Sequence, residues 1–456
     1  MIAADNTLPE GVLVAWYGDD FTGSAAVMEA LSFGGLPSVL FLDIPTLEQL
    51  QRFQGLRGIG IASTARSHGN DWMDINLPAA FEWLAGLRAP ITHYKVCSTL
   101  DSAPHVGSIG KAIDLAMPSF KGRWVPCLIA APAIRRYQAF GNLFGAAPGG
   151  VFRLDRHPVM ARHPVTPMDE ADVTLHLAKQ TTQTIGLVDL EALQGHADEA
   201  LRAEIARGAK IVCIDTVTAD DLSRAGELIW RNREDGLFAV GSQGVEYALL
   251  AHWRNASLLE PTERSTSAGP VERIIAVSGS VSATTSAQVN WAEENGFDVV
   301  RLDPVQVIKG DAAAEKSACE QALQVLSAGR DPLILTARGP DDPTVEAVHA
   351  AVSHSGTTSE AANAKIGAAL GSVLAQLLKT TGLKRAVISG GDTSGHAMRQ
   401  LDLFALTALS PTIPGAALLQ GHSETKAFDG LQLALKGGQM GSPDYFGWIK
   451  QGGGTA

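Results

Sequence analysis

Cysteine, aromatic residues and positive charge are all scarce in this chain. Its 456 residues contain four cysteines, Cys97, Cys127, Cys213 and Cys319. They are scattered, with no Cys-x-x-Cys pair and no metal-ligand spacing. That excludes a disulfide scaffold and a zinc site, and fits reduced, mainly buried thiols of a cytoplasmic protein. Lys and Arg number 36 against 48 Asp and Glu, for a formal net charge of −12. Such a balance disfavours nucleic acid and anionic membrane as partners, while leaving room for a locally positive small-molecule site. No uninterrupted apolar stretch approaches the ~20 residues of a bilayer span. Residues Met1–Asn6 show neither the basic region nor the apolar run of a signal peptide. The few Trp and Tyr residues are assigned to packing.

Familiar catalytic signatures are missing as well. There is no Walker Gly-x4-Gly-Lys-Ser/Thr, no nucleophile elbow and no His-Glu-x-x-His. Gly107–Lys111 has the wrong spacing for a Walker loop and reads as a helix start. Gly58–Ser63 lacks the third glycine of a dinucleotide fingerprint, which disfavours an NAD-dependent oxidoreductase. His68, His93 and His105 have no metal spacing and read as solvated or hydrogen-bonded side chains.

What is present is a large buried interior. Hydrophobic residues make up 45% of the chain and charged residues 18%, as in a well-packed α/β protein, and the length exceeds what one core supports, so two domains are expected. The N-terminal half alternates strand candidates (Ser38–Leu42, Gly58–Ser63, Thr92–Ser98, Trp124–Ala130, Thr184–Leu190, Lys210–Thr216, Leu237–Gly241) with helical stretches such as Leu77–Leu87, Ser108–Met117, Ala197–Arg207 and Asp220–Arg231. This order implies a mostly parallel sheet covered on both faces. Near Leu258 the pattern breaks, and Glu260–Pro270 is polar and rich in Pro, Ser and Thr. The expected organisation is a first domain over 1–258, a linker over 259–270 and a second domain over 271–456. The second repeats the alternation at Arg273–Val277, Phe297–Leu302, Pro332–Ala337, Arg385–Ser389 and Leu431–Lys436, with a helix from about Ala283.

Reactive side chains gather where strands end. The apolar run Gly11–Ala15 leads into Tyr17–Ser24, which carries Asp19 and Asp20, and a helix follows with Met28 and Leu31 on the face of Ser24. A helix cap explains one aspartate. The second, beside a like charge, needs a cation, a hydroxyl-rich ligand or an arginine. Arg66 lies in Ser63–His68, and Lys95, Ser98 and Asp101 lie in Lys95–Ser102. Arg66 and Lys95 could bind a carboxylate, the arginine through two parallel bonds. The plainer alternative is that Lys95 and Asp101 form an ordinary surface pair.

In the second domain three small-residue turns follow strands: Ser278–Ser282, Gly390–Ser394 and Gly437–Gly441. A further candidate turn is Ala337–Asp342. Parallel strands end along one edge, so these turns could converge on one ligand. The Gly390 turn reads as strand, tight turn, helix, with Ala397, Leu401, Phe404 and Ala408 at helical spacing. Free N–H groups at such a helix start favour phosphate, although glycine also serves αβ turns for steric reasons alone.

Together these residues resemble the four-carbon acid sugar kinase family over nearly the whole chain. The family elements appear here as Asp19–Gly23, Lys95–Leu100, Gly279–Ser282, Arg338-Gly339, Gly390–Ser394 and Leu435–Gly441. The resemblance implies two α/β domains, each a mostly parallel sheet flanked by helices, with the active site in the interdomain cleft. It implies an N-terminal domain for an acid sugar and a C-terminal domain for ATP with Mg²⁺, and activities toward 3-oxo-tetronates, threonate or erythronate. On this resemblance Ser278, Ser280, Gly390, Gly391, Asp392, Thr393, Gly437 and Gly438 would hold ATP. Asp19, Asp20, Arg66, Lys95, Ser98 and Asp101 would hold the sugar acid, with Asp19, Asp20 or Asp392 as the proton acceptor. The chain departs where the family often reads Lys-x-Asp-Ser-Thr-Leu-Arg-Gly: Cys97 replaces an acid and Asp101 an arginine. That change of charge favours another acid, such as the branched, oxidised 3-oxo-isoapionate. The rival class is a nucleotide-binding sensor or effector without turnover, which has no need of the Asp19–Asp20 pair. The sequence does not specify an oligomeric state, and a homodimer would be unsurprising for this fold.

Overall fold

The computed structural model describes residues 7–163, 165–262 and 267–454, without the side chain of Asp392. The chain divides into two compact units, Met1–Thr262 and Glu263–Ala456. Residues 263–266 of the expected linker lie outside the described residues. Its flanks are held within their own units: Thr262 Oγ1 donates to the Phe33 carbonyl, and Ala268 N to the Gly452 carbonyl.

The first unit contains strands β1 (Val14–Gly18), β2 (Ser38–Phe41), β3 (Gly58–Ala62), β4 (Ile91–Lys95), β5 (Val125–Leu128), β6 (Arg136–Ala139), β7 (Asn142–Ala147), β8 (Gly150–Arg153), β9 (Ile185–Val188), β10 (Ile211–Ile214) and β11 (Leu237–Gly241). Eight of them form a parallel sheet in the order β2-β3-β1-β4-β11-β5-β10-β9. Strands β1, β3, β4 and β11 are buried along their whole length, as strands covered by helices on both faces must be. The strand expected at Gly11–Ala15 is centred three residues later, because Tyr17 and Gly18 remain in the ladder opposite Ile61 and Ala62.

Strands β6, β7 and β8 form a separate antiparallel meander, in a stretch where the sequence reading placed no strand. The β6–β7 turn is two residues long, with Phe140 at φ 47° and Gly141 at φ 77°. Positive φ at both turn residues is the type I′ requirement that suits the strand twist.

The second unit contains β12 (Ile275–Ser278), β13 (Phe297–Arg301), β14 (Asp331–Leu335), β15 (Arg385–Ser389), β16 (Leu403–Ser410), β17 (Leu418–Ser423) and β18 (Gln432–Lys436). The order β13-β14-β12-β15-β18 is parallel, and β17 and β16 continue it antiparallel. Here one expectation fails. The helix after Gly390 covers only Gly391–Met398, and Leu403–Ser410, read as its continuation, is a strand. Asp402 at φ 48° ends any helical path, and pairing with β17 supplies the backbone partners that a helix would have given.

Both units share one topological device. In the first, the chain runs from β1 out to β2 and back to β3 on one side, then crosses to β4 on the other. In the second it runs from β12 to β13 and β14, then crosses to β15. Each crossing leaves a crevice at the carboxyl ends of the two central strands, where open α/β sheets bind ligands.

Among the described residues one helix, Ser359–Thr381, is long and apolar enough to cross a membrane by length and composition. Of its most apolar window 61% is buried inside the protein, as in a core helix.

Candidate active site

The first crevice lies at the ends of β1 and β4, with β3 adjoining. Gly18 is in register with both Ala62 and Lys95, so the residues after β1 and β3 meet the last residue of β4. Backbone bonds tie the three ends together: Asp19 N to the Lys95 carbonyl and Arg66 N to the Asp19 carbonyl, both 3.0 Å. The two aspartates then divide their work. Asp20 caps the helix Phe21–Phe33, accepting from Gly23 N at 3.1 Å and from Thr22 Oγ1 at 2.6 Å. Asp19 is 1% exposed and meets Arg66 through Nε at 3.1 Å and Nη2 at 2.6 Å. The same Nη2 reaches Asp20 Oδ1 at 2.7 Å. Of the three partners an adjacent aspartate requires, an arginine is the one supplied.

Their environments separate the two carboxyls. Burial pushes Asp19 above the ordinary carboxylate value; Arg66 opposes this, and neighbouring Asp20 adds to the rise. Burial acts on Asp20 in the same sense, but Arg66 and Lys95, with the bonds from Thr22 and Gly23, outweigh it and hold Asp20 below that value. Asp20 is therefore the firmly ionised member, and its side chain is 24% exposed.

Lys95 is 2% exposed, which excludes an ordinary surface pair with Asp101. Its Nζ donates to the Val96 carbonyl at 2.6 Å. A Cβ on Gly23 would collide with Asp20 Oδ1 and stand 2.8 Å from Lys95 Nζ, so a glycine here lets the helix start pass between the two charges. Beyond Lys95, Cys97 Sγ bonds to Thr99 Oγ1 at 2.9 Å, and Leu100 turns the chain with φ 53°. Ser98 is half-buried beside them. Asp101 comes next in the turn, with a buried Oδ1 that has no hydrogen-bond partner among the described residues. His93 bonds to Glu246 at 2.6 Å and to the Gly241 carbonyl in the core, and His68 stacks on Trp72.

In the second unit the three glycine-rich turns do converge. Gly390 N bonds to the Lys436 carbonyl and Gly279 N to the Ser389 carbonyl. Ser282 Oγ donates to the Gly438 carbonyl, and Thr285 Oγ1 stands within hydrogen-bond distance of that carbonyl, at 3.1 Å, and of Ser280 Oγ, at 2.9 Å. The packing is too close for side chains. A Cβ at Gly279 would collide with Thr393 Oγ1, and one at Gly438 with Ser280 Oγ. Gly390 has φ 122°, which L side chains rarely adopt. Gly391 differs, since a Cβ there would meet nothing within 4 Å. Among the described residues the helix Gly391–Met398 starts with no side-chain cap, so its first N–H groups are left to water or a ligand. Gly437 precedes Gly438 at the end of β18. The Asp392 side chain lies outside the described residues. Arg338 pairs with Glu293, and its N–H bonds to Asp342, the cap of the next helix.

One residue to which the sequence reading gave no role is prominent here. Lys436 ends β18 in register with Ser389, itself in register with Ser278. All three are 0% exposed, and the Ser278 and Ser389 hydroxyls have no partner among the described residues. Among the described residues Lys436 Nζ meets only neutral oxygens, Gly437 O at 3.2 Å and Thr285 Oγ1 at 3.4 Å. Burial lowers its pKa from 10.5 to about 8. In sequence it is the polar end of an apolar strand before two glycines; no spacing there reveals its burial.

Among the described residues no group of three or more His, Cys, Asp and Glu is placed to hold a metal ion.

A family model described as a sugar-binding N-terminal domain matches residues 14–249, and one described as a nucleotide-binding C-terminal domain matches residues 275–446. A 3-oxo-isoapionate kinase of Paraburkholderia graminis is 46% identical, over 97% of this chain and 95% of its own length. A 3-oxo-tetronate kinase of Methylobacterium radiotolerans is 30% identical, over 94% and 96%. Another, of Cupriavidus necator, is 28% identical, over 96% and 97%. A solved structure from Salmonella typhimurium LT2 shares the fold with a TM-score of 0.78 at 24% identity, covering 96% of this chain and 98% of its own. Fold and matches define a protein that joins a sugar-binding unit to a nucleotide-binding unit. The chain belongs to the four-carbon acid sugar kinase family. It is an ATP-dependent kinase of a small sugar acid, which sets aside the sensor and oxidoreductase readings.

Proposed function

We propose that the chain is a cytoplasmic kinase that phosphorylates a hydroxyl of 3-oxo-isoapionate or a closely similar branched, oxidised acid. The arrangement that carries the catalytic reading is Asp19–Arg66–Asp20 at the first crevice. Asp19 fixes Arg66, Arg66 holds Asp20 ionised, and Asp20 keeps part of its carboxylate open to accept a bond from a substrate hydroxyl. Phosphoryl transfer proceeds through a loose transition state, so orienting the hydroxyl matters more than strong basicity. A carboxylate held below its ordinary value suits that task. Choice of the branched acid rests on the Paraburkholderia relative and on Cys97 and Asp101, which make the Lys95 turn less cationic than the family pattern.

On the nucleotide side, the uncapped helix start at Gly391, Thr393 and the turn Gly437–Gly438 would surround the phosphates, with Ser278 and Ser280 beside them. Lys436, a cation with no carboxylate partner among the described residues, would supply the charge that phosphate oxygens attract. Serine and threonine hydroxyls and backbone carbonyls are hard oxygen donors, compatible with Mg²⁺ whose other ligands are phosphate and water. When bound, Mg²⁺ would neutralise charge on the phosphates. The assay that tests this reading measures ADP release with a panel of four- and five-carbon acid sugars. We expect 3-oxo-isoapionate to give the highest kcat/KM; preference for plain threonate or erythronate would overturn the substrate assignment.

A further inference from the structure

Lys95 ends β4 at the first crevice with its donors only partly used. An ammonium offers three N–H donors, and among the described residues this one makes a single hydrogen bond, to the Val96 carbonyl at 2.6 Å. It forms no ion pair there, although Asp20 is close. A Cβ on Gly23 would meet both charged groups at once, colliding with Asp20 Oδ1 and standing 2.8 Å from Lys95 Nζ. Carboxylate and ammonium therefore face the same glycine, within the reach of one bridging oxygen. Such an oxygen stands about 2.7 Å from a carboxylate and about 2.9 Å from an ammonium. Gly23 is half-buried and the Asp20 side chain 24% exposed, so the pair borders the crevice rather than the core.

The chemistry of the gap selects its occupant. Asp20 Oδ1 accepts from Gly23 N and Arg66 Nη2, while Oδ2 accepts only from Thr22 Oγ1. A carboxylate has about four acceptor sites, so one remains, on Oδ2. Lys95 and Arg66 together hold Asp20 below the ordinary carboxylate value. A substrate carboxylate on Lys95 would stand against this ionised group, with Asp19 beside it, and like charges so close oppose each other. A hydroxyl satisfies both sides, donating to the carboxylate and accepting from the ammonium.

We propose that Lys95 is a catalytic residue that donates a hydrogen bond to the reacting hydroxyl oxygen, the one whose proton Asp20 accepts, and that it does not anchor the carboxylate of the acid. The inference deepens the kinase reading above and rests on it. The hydroxyl oxygen has its carbon, its proton and two lone pairs. With the proton on Asp20 and one lone pair on Lys95, the other has a single direction left in which to meet the γ-phosphorus of ATP. In the transfer the proton passes to the Asp20 carboxylate and the oxygen–phosphorus bond forms. The bond from phosphorus to the β,γ-bridging oxygen breaks, and its electron pair leaves with ADP. Lys95 keeps its protons throughout, offsetting the charge left on the oxygen as the hydroxyl proton departs. A loose phosphoryl transfer depends on such orientation more than on basicity.

Initial-rate kinetics on the full chain with 3-oxo-isoapionate and ATP test the assignment, comparing the parent with Lys95→Met and Lys95→Gln. Contact with the reacting oxygen places the loss in kcat. We expect kcat to fall on the order of 10²-fold or more in Lys95→Met, with the KM for acid and for ATP within about three-fold of the parent's. Lys95→Gln keeps an N–H donor without the charge and should recover part of that kcat. A carboxylate anchor gives the reverse split. An acid KM raised about ten-fold or more, by a factor matching or exceeding the fall in kcat, overturns the inference, and so does a kcat close to the parent's in the folded variants. Thermal midpoints identify a variant that has lost its fold, and the comparison then rests on the other. Failure of the parent to turn over 3-oxo-isoapionate counts against the substrate reading instead, and the same split is read on the acid of the panel that it does phosphorylate.

Discussion

Ser389 and Lys436 stand opposite each other on neighbouring parallel strands, both fully buried; among the described residues the hydroxyl of one has no partner and the ammonium of the other meets no carboxylate. A folded core ordinarily excludes such a pair, because a buried charge without a counter-ion is costly. Their place is the end of the strands, directly before the glycine turns. The cost falls where an anionic ligand can offset it.

The titration of Lys436 gives a prediction with a defined sign. Its pKa of about 8 in the folded protein lies below the ordinary 10.5. Below pH 8 the side chain is charged in both states and the burial cost is fully present, on the order of 3 kcal/mol. Between pH 8 and 10.5 the unfolded chain binds more protons, so folding gains stability as pH rises. Lys436→Met should therefore melt higher than the parent at pH 7, with the gap narrowing toward pH 10, and should bind ATP at least ten-fold more weakly. Thermal melts across that range, with ATP titrations at pH 7, check both parts.

Binding of ADP should draw a proton onto the same ammonium. Phosphate nearby favours its charged form and raises the pKa. Calorimetry at pH 8.5 in two buffers of different ionisation enthalpy should show net proton uptake in the parent, absent in Lys436→Met. Identical buffer dependence for both proteins would remove Lys436 from the phosphate site.

At the Gly390 turn two neighbouring glycines predict opposite outcomes. A side chain at Gly391 has open space in the protein itself, whereas Gly390 at φ 122° does not tolerate one without strain. Gly391→Val should leave the thermal midpoint nearly unchanged and abolish measurable ATP binding, because its branches point where phosphate would approach. Gly390→Val should lower the midpoint by several degrees. Calorimetry showing normal ATP affinity for folded Gly391→Val would exclude backbone contact with the phosphates.

For the acid-sugar side, Asp20→Asn should reduce kcat by on the order of 10²-fold if the carboxylate accepts the substrate proton, with KM for ATP unchanged. Near-normal turnover would shift the role to Asp19 or Asp392. Asp19→Asn is expected to act differently, loosening Arg66 and lowering stability as well as rate. Comparing kcat with the thermal midpoint for each variant separates the two aspartates.

Asp101→Arg tests specificity. A guanidinium in the Lys95 turn should lower kcat/KM for the oxidised, branched acid by ten-fold or more and improve that for threonate or erythronate, with ATP affinity unaffected. The acid-sugar panel run on both proteins reads this directly. Equal losses on every acid would make Asp101 a structural residue.

The local alternation of apolar strands with amphipathic helices was written in the chain, and with it the parallel sheets and the strand-end position of Asp19, Lys95, Ser278 and Gly390. Parallel strands buried on both faces need continuous apolar runs, and these are visible without long-range information. The segment Leu403–Ser410 was not legible. Its small apolar residues satisfy a helical spacing as well as a strand, and partners in β17 decided between them. The β6–β8 meander escaped for a related reason: its first turn uses Phe140 where a type I′ turn more often has Asn or Asp, so only the Gly141 half of the signal was present.

Residue types were enough to mark where the chemistry belongs, since two adjacent carboxylates and a run of glycines need a physical reason wherever they occur. Partners were a different matter. That Arg66 serves Asp19 and Asp20, and that Lys436 comes to Thr285 with no carboxylate against it among the described residues, are facts of distance between residues far apart in the chain. Charge and hydrogen-bonding capacity belong to a side chain by its covalent structure, so the sequence alone supplies them. Whether a charge is met, buried or left open to a ligand depends on which other groups the fold brings within a few ångströms, and only the tertiary structure decides that.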